Sequence, residues 1–261
     1  MKSAVNKGWR PLLVFILLLV IWESAARIFN VPAWLLPLPT QIAEEAVTGY
    51  SLYASHIIST IALSATGYVV GITVGIGVAI LLFRIPFLQQ AFYPLLIVSQ
   101  NIPVIVLAPL LVIWFGFGML PKVIVIVLVC FFPVTIAALD GFRQTDRDML
   151  HYLKMIGASN HQIFWKLQWP HSLPSLFSGL KIAATYSVMG AVISEWLGAN
   201  KGIGVYMTLA SSSFKTDRVF VAIVLIVILS LTYFGIISAA EKSVLRWRKQ
   251  GGNESNGSTH S

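Results

Sequence analysis

Four long stretches of this chain carry no Asp, Glu, Lys or Arg: Ala46 to Phe83, Ile85 to Pro121, Val123 to Leu139 and Val219 to Ala240. A helix needs about 20 apolar residues to cross the hydrocarbon core of a bilayer. Within that core every backbone polar group must be satisfied internally, which favours helices over open strands. The composition agrees. Only 11% of the 261 residues are charged and 57% are hydrophobic, against about 25% charged in an ordinary soluble domain. One compact soluble domain cannot hide that much apolar surface. A cytosolic enzyme, a disordered chain and a secreted disulfide scaffold are therefore excluded, the last also because Cys130 stands alone.

The expected fold class is an all-α membrane protein with about six spans. They are read at Leu12 to Phe29, Ser59 to Phe83, Phe92 to Phe115, Lys122 to Leu139, Ser172 to Leu197 and Val219 to Ala240. Residues 1–11 form an N-terminal segment, 12–240 the six-span domain and 241–261 a tail whose Gly/Ser-rich end is expected to be disordered. The first span reads as an uncleaved signal anchor, because Ser24-Ala25-Ala26-Arg27 makes a poor cleavage site.

Six spans put both termini on one side. With that side cytoplasmic, 12 Lys and Arg lie inside and 5 outside, with Lys181 in a span. The bias matches the positive-inside rule and predicts a multi-pass protein of a bacterial inner membrane with both termini cytoplasmic. The net charge of +8 is then loop charge beside lipid, and nucleic acid is not needed to explain it. The sequons at Asn253 and Asn256 fall on the cytoplasmic side and read as chance.

Gly67, Gly71 and Gly75 share one helix face, a spacing that lets two helix backbones approach closely. The partner is either another helix of the same chain or a second subunit. The third span contains Ser99-Gln100-Asn101-Ile102-Pro103 and Pro109. The prolines free carbonyls and kink the helix, and large polar side chains at membrane depth need partners or a water-filled path. Ser99, Gln100 and Asn101 are candidate pathway residues, with interhelical packing as the alternative. Ser194 and Glu195, at the outer end of the fifth span, are further candidates. Glu195 could instead pair with Lys201 or act as a cap.

The longest inside loop, 140–171, reads as two short helices. Thr145-Asp146-Arg147-Asp148 and Ser159-Asn160-His161-Gln162 have the form of capping boxes. Met149, Leu150, Leu153 and Ile156 make one apolar stripe, and Ile163, Phe164 and Leu167 a second. Gly157-Ala158 separates the helices and Pro170 stops the second. Such faces fit either the lipid interface or a groove in a soluble protein.

The loop resembles the signature of permease subunits of bacterial ABC importers: Glu-Ala-Ala, three residues, Gly, nine residues, Ile-x-Leu-Pro. Gly157, Leu167 and Pro170 stand at matching offsets, whereas His151-Tyr152-Leu153 replaces Glu-Ala-Ala and Trp169 replaces the Leu before Pro. LLPLPTQI near Pro39, Asn101 to Gly118, Phe131 to Arg143 and Ser194 to Met207 also resemble the nitrate/sulfonate/taurine group of binding-protein-dependent permeases. Within that group they are most similar to permeases for pyrimidine precursors of thiamine. The resemblance implies an ABC importer permease (MetI-like) fold with a coupling-helix loop, working as a homodimer. It also implies two cytoplasmic ATP-binding subunits and an extracytoplasmic substrate-binding protein. The docking residues would be Met149, Leu150, Leu153, Gly157, Ala158, Ile163, Phe164, Leu167 and Pro170. The solute would be a small polar organic molecule, either a thiamine pyrimidine precursor or a sulfonate-, taurine- or nitrate-like compound.

The chain has no Gly-Lys dipeptide, hence no P-loop, so ATP and Mg²⁺ would belong to the partner. The five His residues are scattered and suggest no metal site, and no nucleophile–base set suggests an enzyme. The competing class is an ion-gradient-driven secondary transporter. It is expected to carry intramembrane carboxylates and paired broken helices. The second, third and fourth spans contain no carboxylate in their cores.

Overall fold

The computed structural model describes residues 2–246, with side chains from Trp9 onward. The elements are helices α1 (Lys2–Ile28), α2 (Pro39–Thr48), α3 (Tyr50–Arg84), α4 (Pro86–Ser99), α5 (Val104–Phe115), α6 (Met119–Arg143), α7 (Arg147–Met155), α8 (Asn160–Ile163), α9 (Trp169–Glu195), α10 (Ile203–Ser212) and α11 (Thr216–Val244). A π-helical segment, Phe164–Gln168, joins α8 to α9. Helices α1, α3, α6, α9 and α11 are long and apolar enough to cross a membrane. The bent pair α4–α5 makes a sixth candidate span.

The glycine stripe shows how the bundle is tied together. A Cβ on Gly67 would lie 2.5 Å from the Ile126 side chain, one on Gly71 2.7 Å from the Cys130 Cβ, and one on Gly75 2.9 Å from the Phe131 carbonyl oxygen. The stripe is therefore a seat for α6 within the same chain. Positions on α3 and α6 ascend together, so the two helices run parallel. The chain must then return from the end of α3 to the start of α6, and α4–α5 makes that crossing.

Helix α9 runs antiparallel along α6. Gly190 meets Val129, Gly179 meets Ala137 and the Pro133 carbonyl, and Ser172 meets Gly141. Small residues on both sides of α6 bring three backbones close, and Ile126, Cys130, Val134 and Ala138 are fully enclosed between them. Helix α11 closes the group, with the Tyr233 hydroxyl donating to the Ile61 carbonyl at 3.1 Å and Lys181 paired with Glu241 at 2.9 Å. The Trp22 ring packs on Phe220 at 5.2 Å, so α1 ends where α11 begins.

The expected third span differs most. It is two helices bent by 102°, starting at Pro86 rather than Phe92. Pro103 disfavours helical backbone at Ile102 and has no N–H to continue the ladder, so the helix breaks fully where a kink was expected. Helices α3, α6 and α11 extend beyond both expected ends, whereas α1 and α9 start earlier than expected and stop slightly short, at Ile28 and Glu195. Residues 247–261, with both sequons and the Gly/Ser-rich end of the tail, lie outside the described residues.

Candidate functional site

The α4–α5 break opens a cleft of about 410 Å³. Ser99, Gln100, Ile102, Pro103, Val104 and Leu107 line one wall, and residues of α6 from Leu128 to Pro133, with Tyr186 of α9, line the other. A second cleft of about 490 Å³ shares Val104, Val129 and Tyr186 and continues to Met189, Ile193 and Trp196. No charged residue lines either space.

The three expected polar residues do different jobs there. The Ser99 hydroxyl donates to the Leu96 carbonyl at 2.8 Å, and Asn101 Nδ2 donates to the Ile97 carbonyl at 3.1 Å. Both spend a donor on the last carbonyls of α4, which the break leaves without helical partners. Gln100 stays exposed in the cleft, and its side chain has no hydrogen bond among the described residues. Tyr186, Met189 and Trp196 were not singled out from the sequence. Their spacing of three and seven residues puts them on one face of α9, and all three are at least two-fifths exposed. That stripe was the available signal.

Ser194 and Glu195 lie away from this cleft. Both are buried, and Ser194 donates to the Ala191 carbonyl at 2.8 Å within its own helix. The Glu195 carboxylate accepts from the Thr60 hydroxyl at 2.7 Å and from the Gly204 N–H at 2.8 Å. The Thr60 Oγ1 in turn accepts from the Ile203 N–H at 2.8 Å, and His56 Nδ1 accepts from the Gly202 N–H at 3.0 Å. Glu195 is thus a cap, supplied by α9, for the start of α10, whose leading N–H groups have no helical acceptors. It does not pair with Lys201, whose side chain is exposed. A Cβ on Gly202 would strike the Glu195 carboxyl group, so glycine is required there. Glu23 works similarly at the start of α2. It accepts from the Thr40 hydroxyl at 3.0 Å and the Thr40 N–H at 3.3 Å, and it pairs with Arg27.

At the opposite end of the bundle lies the 140–171 loop. Asp146, not Thr145, caps α7: its carboxylate accepts from the Asp148 and Met149 N–H groups at 2.8 and 3.2 Å. Thr145 is turned inward and donates to the Phe142 carbonyl at 2.9 Å. Gly157, at φ +81°, closes α7 with the Ala158 N–H donating to the Leu153 carbonyl at 3.0 Å, a Schellman closure that favours glycine. The second capping box forms as expected, between Ser159 and Gln162.

The two apolar stripes separate. Met149, Tyr152, Met155 and Ile156 are exposed, by 48%, 55%, 81% and 61%. Leu150, Leu153 and Ala158 are half-buried. Ile163 and Phe164 are buried in the chain's own core and are not available to a partner. Leu167 and Pro170 are half-buried, and Pro170 sits in the first turn of α9. It does not stop the second helix, because the π-turn before it already departs from i→i−4 bonding, so the proline breaks no regular ladder.

Among the described residues no three His, Cys, Asp or Glu side chains cluster to hold a metal ion. A helical bundle with a charge-free cleft at a broken helix, and a capped loop at one end, is in keeping with a membrane permease. Residues 71–246 match the family described as binding-protein-dependent transport system inner membrane component, and the chain belongs to it. It is 39% identical to the formylaminopyrimidine transport permease protein ThiX of Halalkalibacterium halodurans, over 92% of this chain and 96% of that one. It is 26% identical to the taurine transport system permease protein TauC of Escherichia coli, over 88% and 86%. Its fold is similar to that of an amino acid ABC transporter crystal structure, with TM-score 0.63 and 15% identity, covering 76% of this chain and 96% of that one.

Proposed function

We propose that the chain is the passive, ATPase-coupled half of an importer. Two copies form the solute path, and each docks a cytoplasmic ATP-binding subunit on its 140–171 loop. An extracytoplasmic binding protein delivers the solute. Both termini face the cytoplasm, in keeping with the charge bias of the loops and with α1 and α11 meeting at the other end of the bundle. The similarity to a formylaminopyrimidine permease supports a pyrimidine precursor of thiamine as the solute. The charge-free lining of the clefts supports an uncharged ring over a sulfonate.

The observation that carries this reading is the exposed face of Met149, Tyr152, Met155 and Ile156 beside Gly157. It is apolar, it is held rigidly by two capped helices, and a Cβ on Gly157 would meet nothing within 4 Å. That open space is available to a partner. ATP binding moves the permease only if its two conformations bind the partner's states differently, and a fixed helix face can provide that difference. The ion-driven alternative lacks a free intramembrane carboxylate in the places it would be sought, since Glu23 and Glu195 are both used as helix caps.

Met149→Asp is expected to weaken ATPase binding, read as co-purification, by about a hundredfold or more, as burying an unpaired charge in an interface costs several kcal/mol. Gly157→Arg should do the same, at a local cost of about 1–2 kcal/mol for a side chain at φ +81°. Unchanged ATPase recovery with both variants would show that the partner docks elsewhere.

A further inference from the structure

Three membrane helices end on one side chain behind the docking face. Phe164 is 2% exposed. Its ring lies 5.4 Å from Phe142 at the end of α6, 6.2 Å from Phe83 at the end of α3 and 6.3 Å from Trp169 at the start of α9. Phe83 and Phe142 also touch, at 5.0 Å. Phe164 directly follows α8 and opens the π-helical segment. π-turns are rare and are found mostly at functional sites. The loop therefore cannot shift without displacing this ring, and the ring cannot shift without repacking the ends of α3, α6 and α9.

The tilted ring contacts carry only a weak geometric preference of their own. Arg84 adds direction. It is the last residue of α3, and its guanidinium carbon stands 4.6 Å from the centre of the Phe164 ring. A planar guanidinium over an aromatic face combines stacking with attraction to the ring quadrupole. Arg84 also walls a cleft of about 220 Å³ with Leu150 and Lys154 of α7 and with Asn160 and Gln168. It thus sits in the seam between the docking helix and the bundle.

We propose that Arg84 is a positioning residue. It holds Phe164 so that movement of the docking loop passes to the ends of α3, α6 and α9 and so to the cleft. This rests on the ATPase-coupled reading above. The test uses the complex with its ATPase in lipid nanodiscs, carrying Gln100→Cys as a reporter. Cys130 is fully buried and leaves a quiet background. The rate of labelling by a membrane-impermeant maleimide is measured with and without ATP and vanadate, so no solute is required.

With Arg84 present, ATP and vanadate change the labelling rate. Arg84→Gln is expected to shrink that change by about threefold, the size of shift an exposed cation–π contact can produce, while ATP hydrolysis persists. Arg84→Lys, which keeps the cation but loses the planar stack, should retain part of it. An undiminished change in Arg84→Gln overturns the joint alone, and equal loss of assembly and hydrolysis in both variants overturns it in favour of a purely structural role. An assembled, hydrolysing complex that shows no ATP-dependent change with Arg84 in place overturns both the joint and the coupled-permease reading.

Discussion

Glu195→Ala is expected to destabilise the folded permease by about 3 kcal/mol, because it leaves buried hydrogen-bonding groups unpaired. The groups are the Gly204 N–H and the Thr60 hydroxyl, each of which now donates to the carboxylate. Both partners are enclosed in the folded protein, Glu195 being 1% exposed and Thr60 fully buried. The start of α10 should loosen first, and with it the connection between α9 and α11. Glu195→Gln keeps one acceptor oxygen but turns an amide N–H₂ toward a second donor, so it should recover only part of the loss. Lys201→Ala should change nothing measurable, which separates the cap from a surface ion pair. The readout is the thermal midpoint in detergent for the four proteins. A stable Glu195→Ala protein would show that the carboxylate does not secure α10.

Gly75→Leu should be at least as damaging. The new Cβ would lie 2.9 Å from the Phe131 carbonyl oxygen, a backbone atom that cannot rotate away. The single Thr135 hydroxyl proton is shared between the Phe131 carbonyl of its own helix at 2.7 Å and the Gly75 carbonyl at 3.1 Å, so separating the helices loses the longer, cross-helix contact as well. Overpacking of this kind costs about 1–3 kcal/mol or more, and here it falls where two helix backbones approach closely. Gly77→Leu on the same helix is the control, because a Cβ there meets nothing within 4 Å. Size-exclusion profiles should show loss of monodisperse protein for Gly75→Leu and none for Gly77→Leu. A folded but monomeric Gly75→Leu protein would instead mean that the stripe belongs to a subunit interface.

The parts of this molecule that were legible in the sequence are those fixed by local chemistry. Charge-free runs marked the spans because the bilayer constrains each helix separately. Ser159 and Gln162 announced their capping box, and Gly157 its closure, because both depend on residues within one turn. The glycine spacing on α3 revealed a close approach but not its partner, since Ile126, Cys130 and Phe131 lie far away in the chain. The role of Glu195 stayed open between path, ion pair and cap for the same reason. Nothing near it in sequence shows that Thr60 approaches from α3, and a carboxylate at a span end looks alike whether it lines a path or caps a helix. Ile163 and Phe164 showed an apolar stripe correctly. Which way the stripe faced was decided by Phe83, Phe142 and Trp169, from three other elements.

If this chain supplies a path and no driving force, transport depends on its partners. That dependence is tested most directly in proteoliposomes, with the purified chain alone and with its ATPase, binding protein outside and ATP enclosed. Uptake of radiolabelled formylaminopyrimidine and of taurine is followed separately. Uptake of the pyrimidine is expected only when the ATPase and ATP are both present. Uptake by the chain alone, driven by an imposed proton or sodium gradient, would contradict that dependence.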